Sequence, residues 1–256
     1  MNVIRLKQTS STNTAMKGMD GLEHGTVVVT DNQTAGRGQR GNSWEAAPGK
    51  NLTFSVLLEP QNIAARSQFA ISRAVALAVA DCIAHWLRRD DVRLKWPNDI
   101  YVGDDKICGI LIENTLEGDR IARSVVGVGI NVNQREFMSD APNPVSMWQI
   151  AGMDFDLDIL LEDVVNTILS YVAAEDCSGG HASEREYMER LWHADGFYWF
   201  AEGNARIDGT PVGDNDSRKV FEARIIGIDG SGMMTLQRRD LTLSTYAFKE
   251  VSFLRR

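Results

Sequence analysis

The sequence predicts an α/β protein in the α+β sense: a mixed, largely antiparallel central sheet with helices, followed by a small C-terminal β-barrel. Three observations carry this. The strand-like runs TVVVT (26–30) and LTFSVLL (52–58) flank a glycine-rich loop, so that loop joins strand to strand rather than opening a helix. Residues 66–89 place Phe69, Ile71, Ala74, Val75, Ala78, Val79, Cys82, Ile83 and Trp86 at helical spacing. From about Phe197 the texture changes to short alternating segments separated by Gly/Asp turns, such as DGSG at 229–232. The units are therefore drawn at 1–195 and 196–256.

The elements follow in order. Ser/Thr/Asn residues precede a short helix over Thr14–Met19. After the two strands and the 66–89 helix come short strands at Val92–Trp96 and Ile100–Val102. The turn Gly103-Asp104-Asp105 leads into KICGILIE (106–113), and SVVGVGINV (124–132) is a further strand. The glycines of that last strand suggest close approach of backbone to a ligand. Residues 134–147 form a proline-rich loop. Amphipathic helices are expected at Leu157–Tyr171, capped by Asp156, and at about Ser183–His193. In the last unit Val220–Ile226, Met233–Leu236 and Leu241–Leu243 read as strands.

Bulk properties narrow the function. A chain of 256 residues with 43% hydrophobic and 24% charged residues is ordinary for a globular protein and needs no disulfide or metal to hold its core. A formal net charge of -8 argues against general nucleic-acid binding but leaves room for a local cationic pocket. Cys82, Cys108 and Cys177 have no zinc-like spacing and fit reduced thiols in a cytoplasm; the histidines His24, His85, His181 and His193 form no metal motif. The start MNVIRLKQTSS has no apolar core of a signal peptide, and no run suggests a membrane span. The expected protein is cytoplasmic.

The loop TAGRGQRGNSW (34–44) holds three glycines and two arginines. Glycine lets backbone approach a ligand, and arginine offers a planar donor fork to phosphate or carboxylate. A hairpin with a polar tip is the plain alternative. Three other segments stand out: SSTN (10–13), KWPND (95–99) with Lys106, and GVGINVN (127–133). Taken singly, SSTN reads as a helix cap and GVGINV as a core strand, while KWPND is harder to dismiss as a plain turn, since Trp96-Pro97 breaks a strand and leaves Lys95, Asn98 and Asp99 polar in apolar surroundings.

Together, in this order and at these separations, the four segments resemble the biotin protein ligases, over about half the chain. The resemblance implies a class II synthetase-like catalytic fold, with the terminal barrel of SH3 type. It implies ATP-dependent ligation: the biotin carboxylate attacks the α-phosphate of ATP, giving biotinyl-5′-AMP and pyrophosphate. A lysine of an apo biotin carboxyl carrier protein, or of a biotin-dependent carboxylase subunit, then attacks the anhydride and releases AMP.

The same resemblance assigns roles. Lys106, Arg37 and Asp99 are the catalytic set. Lys106 holds carboxylate and α-phosphate together, Arg37 bridges carboxylate and phosphate, and Asp99 engages the acceptor amine. Biotin is contacted by Ser11, Thr12, Asn13 and Gln33, by the loop residues Gly36, Arg37, Gly38 and Gln39, by Lys106, and by Gly109, Gly127 and Gly129. ATP or AMP is contacted by Arg37, Gln39, Arg40, Trp44, Lys95, Asn98, Lys106 and Asn131, with Trp44 covering the adenine. No dedicated protein metal site is implied; Mg²⁺ accompanies the ATP phosphates near Asn131. Residues 32–50 are expected to close over the ligands.

Two departures qualify the likeness. Gln39 stands where the best-known bifunctional members have the second arginine of GRGRRG, which drops a charge that helps retain the adenylate. The first site motif begins at Ser10, so the N-terminal DNA-binding module of those members is not expected here, and no nucleic-acid or membrane partner is expected. A lipoate or octanoyl ligase or transferase of related fold is the alternative enzyme, and a non-catalytic nucleotide binder the alternative of another class. A homodimer contact through edge strands near the loop is compatible with the ligase reading.

Overall fold

Period-two alternation of side chains, read across paired strands, explains how one face of a sheet becomes core and the other a cleft. A computed structural model describes residues 1–39, 42–138, 143–203 and 219–254. Strand β1 (Val3–Leu6) leads through helix α1 (Thr12–Lys17) to β2 (Val27–Thr30), which pairs with it in parallel. Then come β3 (Leu52–Leu58), α2 (Phe69–Leu87), β4 (Val92–Lys95), β5 (Asp99–Val102), β6 (Asp105–Glu117) and β7 (Arg120–Ile130). The sheet order is β1-β2-β3-β7-β6-β5-β4, and every neighbouring pair after β1–β2 is antiparallel. The mixed, largely antiparallel sheet expected from the sequence is the one found.

Every residue of β3 is buried, so the alternation is hidden from a burial string but not from the registers. Leu52, Phe54, Val56 and Leu58 pair with Ile130, Val128, Val126 and Ser124, and their apolar members join the main core. The intervening residues Thr53, Ser55 and Leu57 pair with Gly129, Gly127 and Val125 on the opposite face. There Met16, Val28, Leu57 and Val125 form a second small cluster, over which α1 lies.

Helix α2 contributes to the core on nearly all its sides. Its buried alanines (Ala70, Ala74, Ala76, Ala78 and Ala80) permit close approach of neighbouring elements. The stretch Ala65–Leu87 is long and apolar enough to cross a membrane, yet 67% of that window is buried within this protein. Helix α3 (Met147–Ala151), absent from the sequence-based expectation, starts at a capping box between Ser146 and Gln149. Helix α4 (Leu157–Cys177) packs on α2, and α5 (Glu184–Glu189) follows. Buried Arg73 of α2 donates to Glu175 Oε1 (3.1 Å) and to the Gly180 carbonyl (2.7 Å), tying α2 to the end of α4.

Asp156 caps α4 as expected: its Oδ1 accepts from the amides of Asp158 (2.9 Å) and Ile159 (3.1 Å). Asp156→Ala should therefore cost about 1 kcal/mol of stability, read as a lower midpoint in urea denaturation with an unchanged slope.

The remaining strands are β8 (Tyr198–Glu202), β9 (Val220–Ile228), β10 (Met234–Arg238), β11 (Leu243–Tyr246) and β12 (Val251–Phe253). They form a five-stranded antiparallel sheet in the order β11-β10-β9-β8-β12. Among the described residues no ladder joins β11 to β12, so the strands expected to make a barrel are found as a sheet. It shares the main hydrophobic cluster with the larger sheet. Trp96 Nε1 donates to the Gly232 carbonyl (3.0 Å), and its ring meets Phe248 edge-on.

Candidate active site

The registers place two glycine-bearing rows on the cleft face. Thr53, Gly129, Gly109 and Asp99 are successive partners across β3, β7, β6 and β5; Ser55, Gly127 and Leu111 form the next row. A cleft lies above them. Asn13, Gln33 and Gln39 line it, as do Ser11, Thr12 and Gly38. So do Arg37, Trp44, Asn98, Asp99 and Lys106, together with Gly109, Gly127 and Gly129. Most of the residues singled out from the sequence are thus brought to one place.

The glycines are needed for close approach. A Cβ at Gly127 would overlap Asn13 Oδ1, and one at Gly129 would overlap the indole of Trp44. A Cβ at Gly109 would lie 3.0 Å from Trp44 Cζ3. The half-buried Trp44 ring therefore lies on the glycine row itself, in the cleft. Its Nε1 is buried and has no hydrogen-bond partner among the described residues.

Two charged groups stand at one end. Lys106 Nζ forms an ion pair with Asp99 Oδ1 at 2.7 Å, both side chains about a quarter exposed (28% and 22%). The ammonium also lies 5.7 Å from the centre of the Trp44 ring, within cation–π range. Asn98 Nδ2 donates to the Ile110 carbonyl, which fixes the turn between β4 and β5 against β6. Cys108, two residues beyond Lys106, is fully buried, and burial pushes its thiol well above the ordinary value, so it stays neutral.

The other end is built of amides and hydroxyls. Thr12 N donates to Gln33 Oε1 (3.0 Å), and Asn13 Nδ2 donates to the Leu111 carbonyl (3.2 Å) and to Glu113 Oε2 (2.9 Å). Lys17 Nζ approaches Glu113 Oε1 to 2.6 Å. Burial pushes the Glu113 carboxyl up, but the hydrogen bonds from Lys17 and Asn13 and the Lys17 and Arg37 charges outweigh it and hold the pKa below the usual range. Arg37 donates to Thr14 Oγ1 (2.9 Å) and comes 3.7 Å from Glu113 Oε2, so its guanidinium rests at this end.

Three residues stand elsewhere. Lys95 Nζ donates to Tyr101 Oη (2.9 Å) and sits over the Tyr101, Trp192 and Phe253 rings, outside the cleft lining. Asn131 is buried (2% exposed) and donates to the Val145 carbonyl at 3.1 Å, beside the Lys106 backbone. Gly36 packs against the Trp44 carbonyl and the Gln33 side chain rather than lining the cleft. Arg40 lies outside the described residues. Conversely, Thr53, Ser55 and Glu113 belong to the site region and were not singled out, although the alternation in LTFSVLL signals the first two. Phe248, from the smaller sheet, also lines the cleft.

The profile of the Biotin/lipoate A/B protein ligase family matches residues 5–131. The bifunctional ligase/repressor BirA of Bacillus subtilis is 29% identical over 222 residues, covering 84% of this chain and 62% of its own length. The chain thus spans about three fifths of that relative. The biotin–[acetyl-CoA-carboxylase] ligase of Paracoccus denitrificans is 28% identical over 242 residues, covering 91% of this chain and 92% of its own. In structure, the biotin protein ligase of Aquifex aeolicus in complex with biotin and ATP superposes with a TM-score of 0.77 at 24% identity, covering 100% of this chain and 99% of that one. That likeness establishes the shared fold.

Proposed function

The chain belongs to the biotin/lipoate A/B protein ligase family, and on that premise we propose that it is an ATP-dependent biotin protein ligase. It activates biotin as biotinyl-5′-AMP and transfers it to a lysine of a biotin carboxyl carrier protein in the cytoplasm. The observation that carries this reading is the Lys106–Asp99 pair, 2.7 Å apart, facing an amide and hydroxyl cluster along the same cleft.

Elementary electrostatics explains the arrangement. Bringing a carboxylate to about 4 Å from an α-phosphate costs roughly 4 kcal/mol at an effective dielectric near 20. Lys106, a compact point charge, contacts both oxygens and offsets that repulsion. Arg37 adds a second cation from the loop once it leaves Thr14 and Glu113. Ser11, Thr12, Asn13 and Gln33 hold the ureido ring, and Gly109, Gly127 and Gly129 admit flat groups to the sheet. Closure of residues 32–50, with Trp44 and Gln39, excludes water from the anhydride. Asp99 then orients the incoming amine.

Among the described residues no cluster of three or more His, Cys, Asp or Glu side chains is arranged for a metal. Mg²⁺ would enter with the ATP phosphates. Asn131 Oδ1, a buried acceptor without a hydrogen-bond partner among the described residues, fits a role beside it. Such an ion would neutralise phosphate charge. The smaller sheet is proposed as a separate domain from about residue 196, whose Phe248 closes one wall.

The test incubates the protein with biotin, ATP, Mg²⁺ and an apo carrier domain, and weighs the carrier by mass spectrometry. One biotinyl group on one lysine, with pyrophosphate released, is the expected result. Pyrophosphate release with lipoate but not with biotin would overturn the reading.

A further inference from the structure

We infer that Glu113 is a positioning residue that sets the donor–acceptor polarity of the cleft's polar end, so that Thr12 presents an acceptor to the ligand's N–H groups. The inference deepens the proposed function and rests on it for the identity of the ligand.

The polarity can be followed atom by atom. The Leu111 carbonyl and the Glu113 carboxylate only accept, and both lie within hydrogen-bond distance of Asn13 Nδ2, at 3.2 and 2.9 Å. That fixes the Asn13 amide, with Oδ1 turned to Ser55. Ser55 Oγ is 2.6 Å from Asn13 Oδ1 and 2.8 Å from Thr12 Oγ1. Asn13 Oδ1 cannot donate, so the single Ser55 proton goes to it, and Ser55 must accept from Thr12. The 3.5 Å approach of Thr12 Oγ1 to Gln33 Oε1 competes for the same proton and loses on distance. Thr12 is left with lone pairs to offer to the cleft that it lines.

Solvent does not scramble this chain: Thr12, Asn13 and Ser55 are 3%, 2% and 0% exposed. Beside the fixed Leu111 carbonyl, Glu113 is the charged side chain that sets its direction. Its carboxylate stands between Asn13 and two cations, Lys17 at 2.6 Å and Arg37 at 3.7 Å. Without the negative charge only the Leu111 carbonyl still holds the present orientation, and the two cations draw the Asn13 amide toward the flipped one, with its oxygen facing them. The whole chain then reverses: Asn13 donates to Ser55, Ser55 to Thr12, and the Thr12 hydroxyl proton turns toward the ligand. A ureido ring, whose N–H groups need acceptors, would meet a donor instead.

Glu113→Gln tests the idea with little change of volume, because glutamine can face Asn13 with either its oxygen or its amino group. Pyrophosphate release is measured with biotin and with an analogue in which one ureido N–H is replaced by a ring oxygen. We expect a rise of about tenfold in KM for biotin with KM for ATP within about threefold. The wild type should reject the analogue by at least about tenfold, and the variant by less than about threefold. Unchanged discrimination in the variant, or equal rises in both KM values, overturns the inference. A wild-type protein that releases no pyrophosphate with biotin overturns the functional reading itself, and this inference with it.

Discussion

Lys106→Met should lower biotin-dependent pyrophosphate release by about a thousandfold or more, while binding of biotin alone weakens far less. Methionine keeps most of the stem and its packing beside Gly109 and Trp44, so the change removes charge rather than shape. A thousandfold loss corresponds to about 4 kcal/mol of transition-state stabilisation. This matches the repulsion between two like charges at about 4 Å in a medium of effective dielectric near 20. Arg37, held by Thr14 Oγ1 at 2.9 Å before the loop closes, already supplies its own cation on closure and so does not replace the one removed. The measurement is pyrophosphate formation at saturating ATP, with thermal denaturation confirming that the variant folds. Retention of more than a tenth of the wild-type rate would remove Lys106 from its central place.

The sequence carried much of this site because its signals are local. Glycines at 109, 127 and 129 are visible as glycines, and their consequence, an open strand face, needs only the period of a strand. TVVVT and LTFSVLL declare themselves by β-branching and apolar content, and 66–89 by helical spacing. What escaped depends on partners distant in the chain. Lys95 and Asp99 belong to one short motif, yet their side chains part company: Asp99 meets Lys106, while Lys95 is drawn into rings supplied by Tyr101, Trp192 and Phe253. No spacing rule within KWPND could show an aromatic site assembled from the far end of the chain. Glu113 looked like the polar end of a strand, and only the β6–β7 register and α1 reveal the amide and cations around it. Strand β1 was missed because VIRL is short and sits at an edge, where only its pairing with β2 makes it a strand. The extension of β6 and β7 to Glu117 and Arg120 was missed because that part of the hairpin is largely exposed, and so lacks the apolar pattern that marks a strand.

Asp99→Asn should separate the two half-reactions. Asparagine keeps the size and a hydrogen-bonding oxygen but can neither hold an ammonium by charge nor take a proton. Adenylate formation should survive within a few-fold, because Lys106 remains and loses only a competitor for the phosphate. Transfer from preformed biotinyl-5′-AMP to the apo carrier should fall by about a hundredfold, the lower range for loss of a positioned general base. The acceptor lysine, with an ordinary pKa of about 10.4, arrives mostly as ammonium at neutral pH. In the wild type the Asp99 carboxylate gathers that ammonium beside the anhydride and takes the proton whose loss frees the nitrogen lone pair for attack; the second N–H proton leaves to solvent as AMP departs. In the variant the amine must lose its proton to bulk water first. Transfer by the variant should therefore climb more steeply with pH than transfer by the wild type. Single-turnover transfer measured across pH 6.5–9 distinguishes the two cases. Rates within about threefold of each other, with parallel pH profiles, would assign Asp99 only to holding Lys106 in place before substrates arrive.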